Sequence, residues 1–199
     1  MTLLAVLRAR HLPGTLVVIA VVSGAALLAG DRVIELRYGS GAGIPYATLV
    51  PALSGGLVAG ASGTGVPELE RLAARSLVPY RALALAVGVG WAVLWAVIAQ
   101  PSLPGSPGDV AAARNVLGFT GLGLLASGVV GARLSWVLPV GVGIAVLSLA
   151  GGASPGLLVW PIARDGNAVA AAVALTCFAA GAVLVVLRGT REAAPDPDG

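Results

Sequence analysis

Apolar and polar positions alternate along the chain in long blocks. Six almost wholly apolar blocks of about 20 residues are separated by short polar stretches; they cover residues 13–30, 44–62, 80–99, 111–131, 135–151 and 167–187. A helix that crosses the hydrocarbon core of a bilayer needs about 20 mainly apolar residues. The pattern therefore predicts an all-α fold, an integral membrane bundle of six transmembrane helices that forms one domain over residues 1–199.

The polar stretches predict the connections between these spans. Residues 31–43 are charged and Gly-rich and indicate a loop, residues 100–109 (QPSLPGSPGD) indicate a turn region, and residues 131–134 indicate a tight link. Residues 153–166 are expected to form a short interfacial segment. The polar tail, residues 189–199, is expected to be disordered. The first apolar block is too long for a cleavable signal core and lacks a clear cleavage site, which favours a retained helix.

Small residues recur at a spacing of four within the predicted spans. The pairs are Gly56 and Gly60, Gly123 and Ser127, and Ala170 and Ala174. Lipid gives helices no hydrophobic reason to associate, so close backbone approach at small residues drives their packing. The main interpretation is helix packing within one subunit; the alternative is a contact face between two subunits.

Composition excludes several classes of protein. The chain is 57% hydrophobic and 11% charged, with a mean hydropathy of +0.94, whereas a soluble domain carries about 25% charged residues. An ordinary soluble enzyme, a disordered protein and a disulfide scaffold are therefore excluded. All twelve basic residues are Arg, so the chain has no lysine for an ATP-binding P-loop. With one His (His11) and one Cys (Cys177), a His- or Cys-rich metal centre is excluded as well, and no cofactor is expected.

The distribution of arginine predicts the orientation in the membrane. With the N-terminus in the cytoplasm, the inner segments hold eight arginines: Arg8, Arg10, Arg71, Arg75, Arg81, Arg133, Arg188 and Arg191. The outer segments then hold four: Arg32, Arg37, Arg114 and Arg164. Because cytoplasmic loops carry an excess of basic residues, both termini are expected on the cytoplasmic side of the inner (plasma) membrane.

Ionisable residues are scarce inside the predicted spans. Arg114 lies near the end of a span with Asn115 beside it, which favours an interfacial anchor, and no Asp or Glu occupies the middle of a span. Proton-coupled transporters use titrating carboxylates at membrane depth, so a proton-driven antiporter is disfavoured. No pairing of a nucleophile with a base can be assembled from these residues, so the chain is not expected to be an enzyme. Cys177 is interpreted as a small packing residue.

The charge that the spans lack is concentrated in residues 66–81. Pro67 suits the first turn of a helix, Glu68 and Glu70 lie near its N-terminus, and Arg71 and Arg75 follow further along, as the helix dipole favours. Leucines and an alanine occupy another face at helical spacing. The segment is therefore predicted to be a short cytoplasmic amphipathic helix between spans two and three. It either lies on the membrane surface or docks into a partner protein.

This layout resembles the membrane subunit of a type-2 ATP-binding-cassette (ABC) transporter. In that permease class a coupling helix between spans two and three rests on the ATPase subunit, and PELERLAARSL at 67–77 occupies this position. Residues 113–126 and 131–136 also resemble small permease-like proteins of actinobacteria. One departure is that residues 3–11 provide only a weak amphipathic helix before span one.

The resemblance implies an exporter in which two membrane subunits, identical or different, pair with two P-loop ATPase subunits. Glu68, Glu70, Arg71 and Arg75 would then form the docking contact with the ATPase. Two other classes stay open: a non-transporting membrane anchor or assembly protein, and a secondary transporter whose path uses Ser, Thr and backbone groups. No nucleic acid is expected among the partners, and the sequence indicates no substrate.

Overall fold

The computed structural model describes residues 11–29, 33–35, 43–45, 49–63, 77–99, 108–149 and 157–190. Within them the chain forms six α-helices: α1 (Leu12–Ala29), α2 (Val50–Ala61), α3 (Val78–Ala99), α4 (Asp109–Val130), α5 (Val137–Leu149) and α6 (Ala168–Arg188). Short 3-10 helices cover Ala132–Leu134 and Leu157–Ile162. The described part of the chain is thus predominantly helical, as the apolar blocks predict.

Local chemistry explains where the helices begin and end. Pro51 lies in the first turn of α2, where its missing N–H costs no helix hydrogen bond. Asp109 opens α4, and its negative charge suits the positive end of the helix dipole. The side chain of Asn167 caps α6 by accepting from the backbone N–H of Ala170 at 2.9 Å. Gly189 ends α6 with φ of 82°, a conformation that glycine adopts without strain.

The loop predicted at residues 31–43 contains a short strand, which the all-α prediction missed. Strands β1 (Val33–Glu35) and β2 (Gly43–Pro45) pair in antiparallel fashion, with Val33 opposite Pro45 and Ile34 opposite Ile44. The second apolar block covers residues 44–62, and its start therefore belongs to strand β2. Hydropathy alone does not distinguish an apolar strand from the first turn of a helix.

Three of the six helices are long and apolar enough to cross a membrane. They are α3, α4 and α6, with 22, 22 and 21 residues. The other three lie within the predicted blocks but are shorter apolar helices. With 12 and 13 residues, α2 and α5 rise only about 18–20 Å, less than the ~30 Å hydrocarbon core. The apolar blocks from which they were predicted begin with β2 and with a turn at residues 135–136, which explains their shortness.

Neighbouring contacts show that successive helices run in alternating directions. α1 is parallel to α3, since Trp91 donates to the carbonyl of Leu16 and the backbone of Gly88 lies beside Leu12. α5 is antiparallel to α2, because Gly56 lies against Trp136 and Gly143 against Ala52.

The three even-numbered helices run in the same direction. α2 and α4 are parallel, because Gly55 contacts Phe119 and Gly123 contacts Ala59. α4 and α6 are parallel as well, because Gly118 contacts Ala174 and Gly128 contacts Leu184. The bundle therefore has two ends. The Arg81 end holds the starts of α1, α3 and α5, and the Arg114 end holds the starts of α2, α4 and α6.

Small residues bring α4 and α6 into backbone contact. A Cβ atom at Gly121 would overlap the backbone of Cys177 and Phe178, and one at Gly181 would lie 2.6 Å from the carbonyl oxygen of Gly121. Such an approach is possible only where both helices carry small residues. Of the predicted small residues, Ala174 takes part in this contact, since a Cβ atom at Gly118 would lie 3.0 Å from its Cβ; for Ala174 the interpretation of packing within one subunit is confirmed.

The short helix α2 lies at the centre of the bundle. Nine of its 12 residues are buried, and it contacts α1, α3, α4 and α5. Its small-residue pair faces α5 and the turn before it, with Gly56 3.1 Å from Trp136 and Gly60 3.5 Å from the hydroxyl of Ser135, as measured from an added Cβ. The outer helices, in contrast, turn apolar side chains outward; Val183 and Leu187 of α6 are 58% and 63% exposed.

Candidate functional sites at the two ends of the bundle

The predicted docking residues Glu68, Glu70, Arg71 and Arg75 lie outside the described residues, as does the tail beyond residue 190. Of the amphipathic segment predicted over residues 66–81, only the end is described, and residues 78–81 form the first turn of α3. The structure does describe what flanks them. The chain leaves α2 at Gly63 and enters α3 at Val78, both at the Arg81 end. The connection that carries the charged segment therefore begins and ends at the Arg81 end of the bundle.

A narrow cleft opens at the same end between α1, α2, α3 and α6. Its lining is Leu12, Val58, Ala61, Ser62, Arg81, Ala84, Leu85, Val185 and Val186. Because Leu12 and Val185 share this cleft, the start of α1 and the end of α6 lie together. The cavity volume is about 10 Å³, which suits one water molecule and no larger solute.

The guanidinium of Arg81 lies against the end of α6. A Cβ atom added at Gly189 would lie 3.0 Å from Nη2 of Arg81. Carbonyl groups at a helix C-terminus carry partial negative charge, so a cation there is stabilising. The position explains how an arginine is accommodated beside the largely apolar lining of the cleft.

A second polar site lies at the Arg114 end, where the side chain of Arg114 turns inward. The residue is 7% exposed, and its Nε and Nη2 atoms donate to Oδ1 of Asn115 at 3.2 and 3.1 Å. Nη2 also donates to the carbonyl oxygen of Ala163 at 2.7 Å, and Nη1 to that of Arg164 at 3.4 Å. The expectation of an interfacial anchor is wrong for Arg114, because its charge is satisfied by the protein and not by the membrane surface.

Asn115 and Asp165 complete this site, which we call the Arg114 cluster (Arg114, Asn115 and residues 161–165). Nδ2 of Asn115 donates to the carbonyl oxygen of Pro161 at 2.6 Å. Oδ1 of Asp165 accepts from the backbone N–H of Ala111 at 2.6 Å, in the first turn of α4. The cluster therefore joins α4 to the segment before α6 through side-chain to backbone hydrogen bonds.

Aromatic packing seals the inner side of the same segment. Trp160 is 6% exposed and its ring lies 5.1 Å from that of Phe119, at an interplanar angle of 46°. The ring also covers Gly118, where a Cβ atom would overlap it. The predicted interfacial segment is thus partly buried in the bundle, and Trp160 packs inside the protein.

The remaining tryptophans divide between packing and exposure. Trp91 and Trp95 form an edge-to-face pair with centroids 6.1 Å apart, and Trp91 donates to the carbonyl oxygen of Leu16 at 2.9 Å. Trp91 and Trp95 therefore share one packing face. Trp136 is 53% exposed, as an anchor at the edge of a membrane requires.

The chemistry of the Arg114 cluster is structural. Its guanidinium donors point to an amide and to backbone carbonyls, and its carboxylate, that of Asp165, accepts from a backbone N–H of α4. Among the described residues, no group of three His, Cys, Asp or Glu side chains lies close enough to hold a metal ion. The sequence signal for this cluster was a polar pair, Arg114 and Asn115, inside an apolar block. The segment that supplies the hydrogen-bond partners of this pair lies about 50 residues further along the chain.

Comparison of the chain with protein-family models, with curated proteins and with solved structures finds no match. The assignment of a function therefore depends on the arrangement of the helices and on the chemistry of the residues.

Proposed function

We propose that the chain is the membrane-spanning permease subunit of an ABC transporter, acting as an exporter with a separate ATPase. In this proposal six helices cross the membrane, and two membrane subunits, identical or different, form the path. The observation that supports it most is the alternation of helix directions. This alternation brings the start of α1, the end of α6 and both flanks of the charged connection to the Arg81 end, which is the cytoplasmic end in this proposal.

The short helices are compatible with a membrane bundle for different reasons. α2 is surrounded by protein, since nine of its 12 residues are buried, so its length does not have to match the bilayer. α5 follows the 3-10 helix Ala132–Leu134 after a turn at residues 135–136, and together they form a longer apolar element. A modest mismatch in helix length is accommodated by local thinning of the bilayer.

The central position of α2 gives the proposed coupling a physical route. The charged connection leads from the end of α2 to the start of α3. α2 packs against four other helices. Because packed helices move as rigid elements, a force applied to this connection by a closing ATPase would shift α2 against its neighbours. Glu68, Glu70, Arg71 and Arg75 are the proposed docking residues, and their role is electrostatic and steric.

The first observation needed is whether a neighbouring reading frame encodes a P-loop ATPase; the test is then co-purification with that ATPase, together with ATP hydrolysis by the complex. We expect the charge swap Glu68→Lys/Arg71→Glu to weaken the complex and to lower the stimulated hydrolysis. The matched control is Arg191→Glu/Glu192→Lys, which also keeps the net charge but changes the tail. Unchanged complex formation and hydrolysis in the first swap would refute the docking role.

A membrane anchor or assembly protein is the second candidate, and the size of the cleft favours it. The cleft at the Arg81 end holds about one water molecule, which is far from the 300–1,000 Å³ of a typical ligand site. An anchor would bind the partner without changing its rate of ATP hydrolysis. Reconstitution of the two proteins in liposomes distinguishes the candidates, since only a permease is expected to stimulate hydrolysis.

A further inference from the structure

Within the described part of the chain, four buried polar side-chain atoms of serine, threonine and tryptophan have no hydrogen-bond partner. They are Oγ of Ser23, Oγ of Ser54, Oγ1 of Thr120 and Nε1 of Trp95. Ser23 and Ser54 are 0% exposed. A buried polar group without a partner costs about 1–3 kcal/mol, so each of these atoms requires an explanation.

Helix geometry places Ser23 and Ser54 across the same interface. Ala26 of α1 and Val50 of α2 form one buried cluster. Ser23 lies three residues before Ala26 and Ser54 four residues after Val50, so each serine shares a helix face with its cluster residue. Because α1 and α2 are antiparallel, the step back from Ala26 to Ser23 and the step forward from Val50 to Ser54 lead in the same direction along the bundle. Their lengths are about 4.5 and 6 Å. The two hydroxyls are therefore at nearly the same level.

Trp95 reaches this level from α3. Trp91, one turn earlier on the same face, donates to the carbonyl oxygen of Leu16 on α1. One further turn along both parallel helices brings the indole of Trp95 beside residues 19–23 of α1. Trp95 also packs against the buried cluster that contains Ile19 and Val58. Ser23, Ser54 and Trp95 thus all face the junction of α1, α2 and α3.

The cleft at the Arg81 end approaches this junction without including its polar residues. Its lining contains Val58, one helical turn from Ser54 on α2, and Leu12 and Leu85 from the two neighbouring helices. The ligand that this junction suits must be small and neutral, because the three side chains carry no charge. It must accept from the indole, which is a donor only, and it must donate to or accept from two hydroxyls.

We propose that Ser23, Ser54 and Trp95 form a binding site for one internal water molecule at the junction of α1, α2 and α3. Buried waters typically make about three hydrogen bonds to protein groups that would otherwise be unpaired. The site gives α2 a polar contact on the side facing α1 and α3, while Gly55 and Gly56 bring α2 into close contact with α4 and with the turn before α5. The proposal does not depend on the ATPase partner.

The direct test is the cross-relaxation between water and indole protons, measured by NMR on the ¹⁵N-labelled protein in nanodiscs. The Nε1 proton of Trp95 is expected to show a contact with a long-lived water, and the contact is expected to disappear in Ser23→Ala/Ser54→Ala. The matched control is Trp91, whose Nε1 proton is already bound to the carbonyl of Leu16. Absence of the water contact at Trp95 in the unmodified protein would overturn the proposal.

Thermal unfolding provides a second, independent readout. If one water bridges the two hydroxyls, Ser23→Ala and Ser54→Ala each lower Tm, and the double variant loses less than the sum of the two. Ser54→Ala combined with Ser127→Ala is the control pair, because Ser127 donates to the carbonyl oxygen of Leu124 in its own helix; these two effects are expected to add. A rise of Tm in Ser54→Ala, as removal of a truly unpaired hydroxyl would cause, contradicts the proposal.

Discussion

Asn115 is the residue on which the Arg114 cluster most depends, and its replacement by alanine is the sharpest test of that site. The amide accepts two hydrogen bonds from Arg114 through Oδ1 and donates one to the carbonyl of Pro161. Asn115→Ala removes the acceptor of a buried cation and leaves a buried carbonyl without its donor. The helix itself should persist, because alanine is the residue that helices favour most.

The magnitude follows from the bonds that are lost. A hydrogen bond to a charged group contributes about 1.5–3 kcal/mol, and an unpaired buried acceptor costs about 1–3 kcal/mol. We expect Asn115→Ala to lower the free energy of unfolding by about 3–5 kcal/mol. At about 2–4 °C per kcal/mol for a chain of this size, Tm falls by roughly 6–20 °C.

The assay is thermal unfolding of the purified protein in detergent, followed by tryptophan fluorescence. Asn167→Ala is the matched control, since it removes a single amide-to-backbone bond in the same region; it should cost about 1 kcal/mol. In the double variant Arg114→Met/Asn115→Ala, the loss should be smaller than the sum of the losses of Arg114→Met and Asn115→Ala by about 1–3 kcal/mol. A loss below about 1 kcal/mol in Asn115→Ala, or strict additivity in the double variant, would refute the reasoning.

Two further predictions concern packing and topology. Gly121→Ala should destabilise the protein by about 3 kcal/mol in the same unfolding assay, because the added Cβ overlaps the backbone of α6. The control is Gly90→Ala, which should be neutral or slightly stabilising because nothing lies within 4 Å of the added atom. Ala168 and Arg188 are the two exposed ends of α6. In a Cys177→Ala background, the variants Ala168→Cys and Arg188→Cys should react with a membrane-impermeant thiol reagent from opposite sides of a vesicle. Labelling of both from one side would contradict a membrane-crossing α6.

The hydrophobic blocks located the helices but not their lengths. Every α-helix of the described residues lies largely within a predicted block, because burial in lipid or in protein requires the same apolar composition. Lengths were wrong where a block began with another structure: β2 takes up the start of one block, and a turn at residues 135–136 the start of another. The periodicity of apolar residues carries little information about such boundaries when nearly every position is apolar.

The Arg114 cluster shows which part of a site escapes a sequence. Arg114 and Asn115 were visible as a polar pair in an apolar block. The side chain of an arginine near a span end, however, either reaches water or is buried in the protein. The choice was decided by the carbonyls of residues 161–164, about 50 positions away. Only the parallel packing of α4 and α6 brings that segment over the pair.

The sequence by itself predicted a bilayer as the main solvent, and it determined that the fold is mainly helical and that small residues let the helices approach closely, because composition and spacing control these properties directly. The tertiary structure alone decided that α2 is a short central helix, that Arg114 is buried, and that Ser23 and Ser54 are buried as well. Each of these depends on which faces of different helices meet. That is a property of pairs of distant residues, and no local pattern records it.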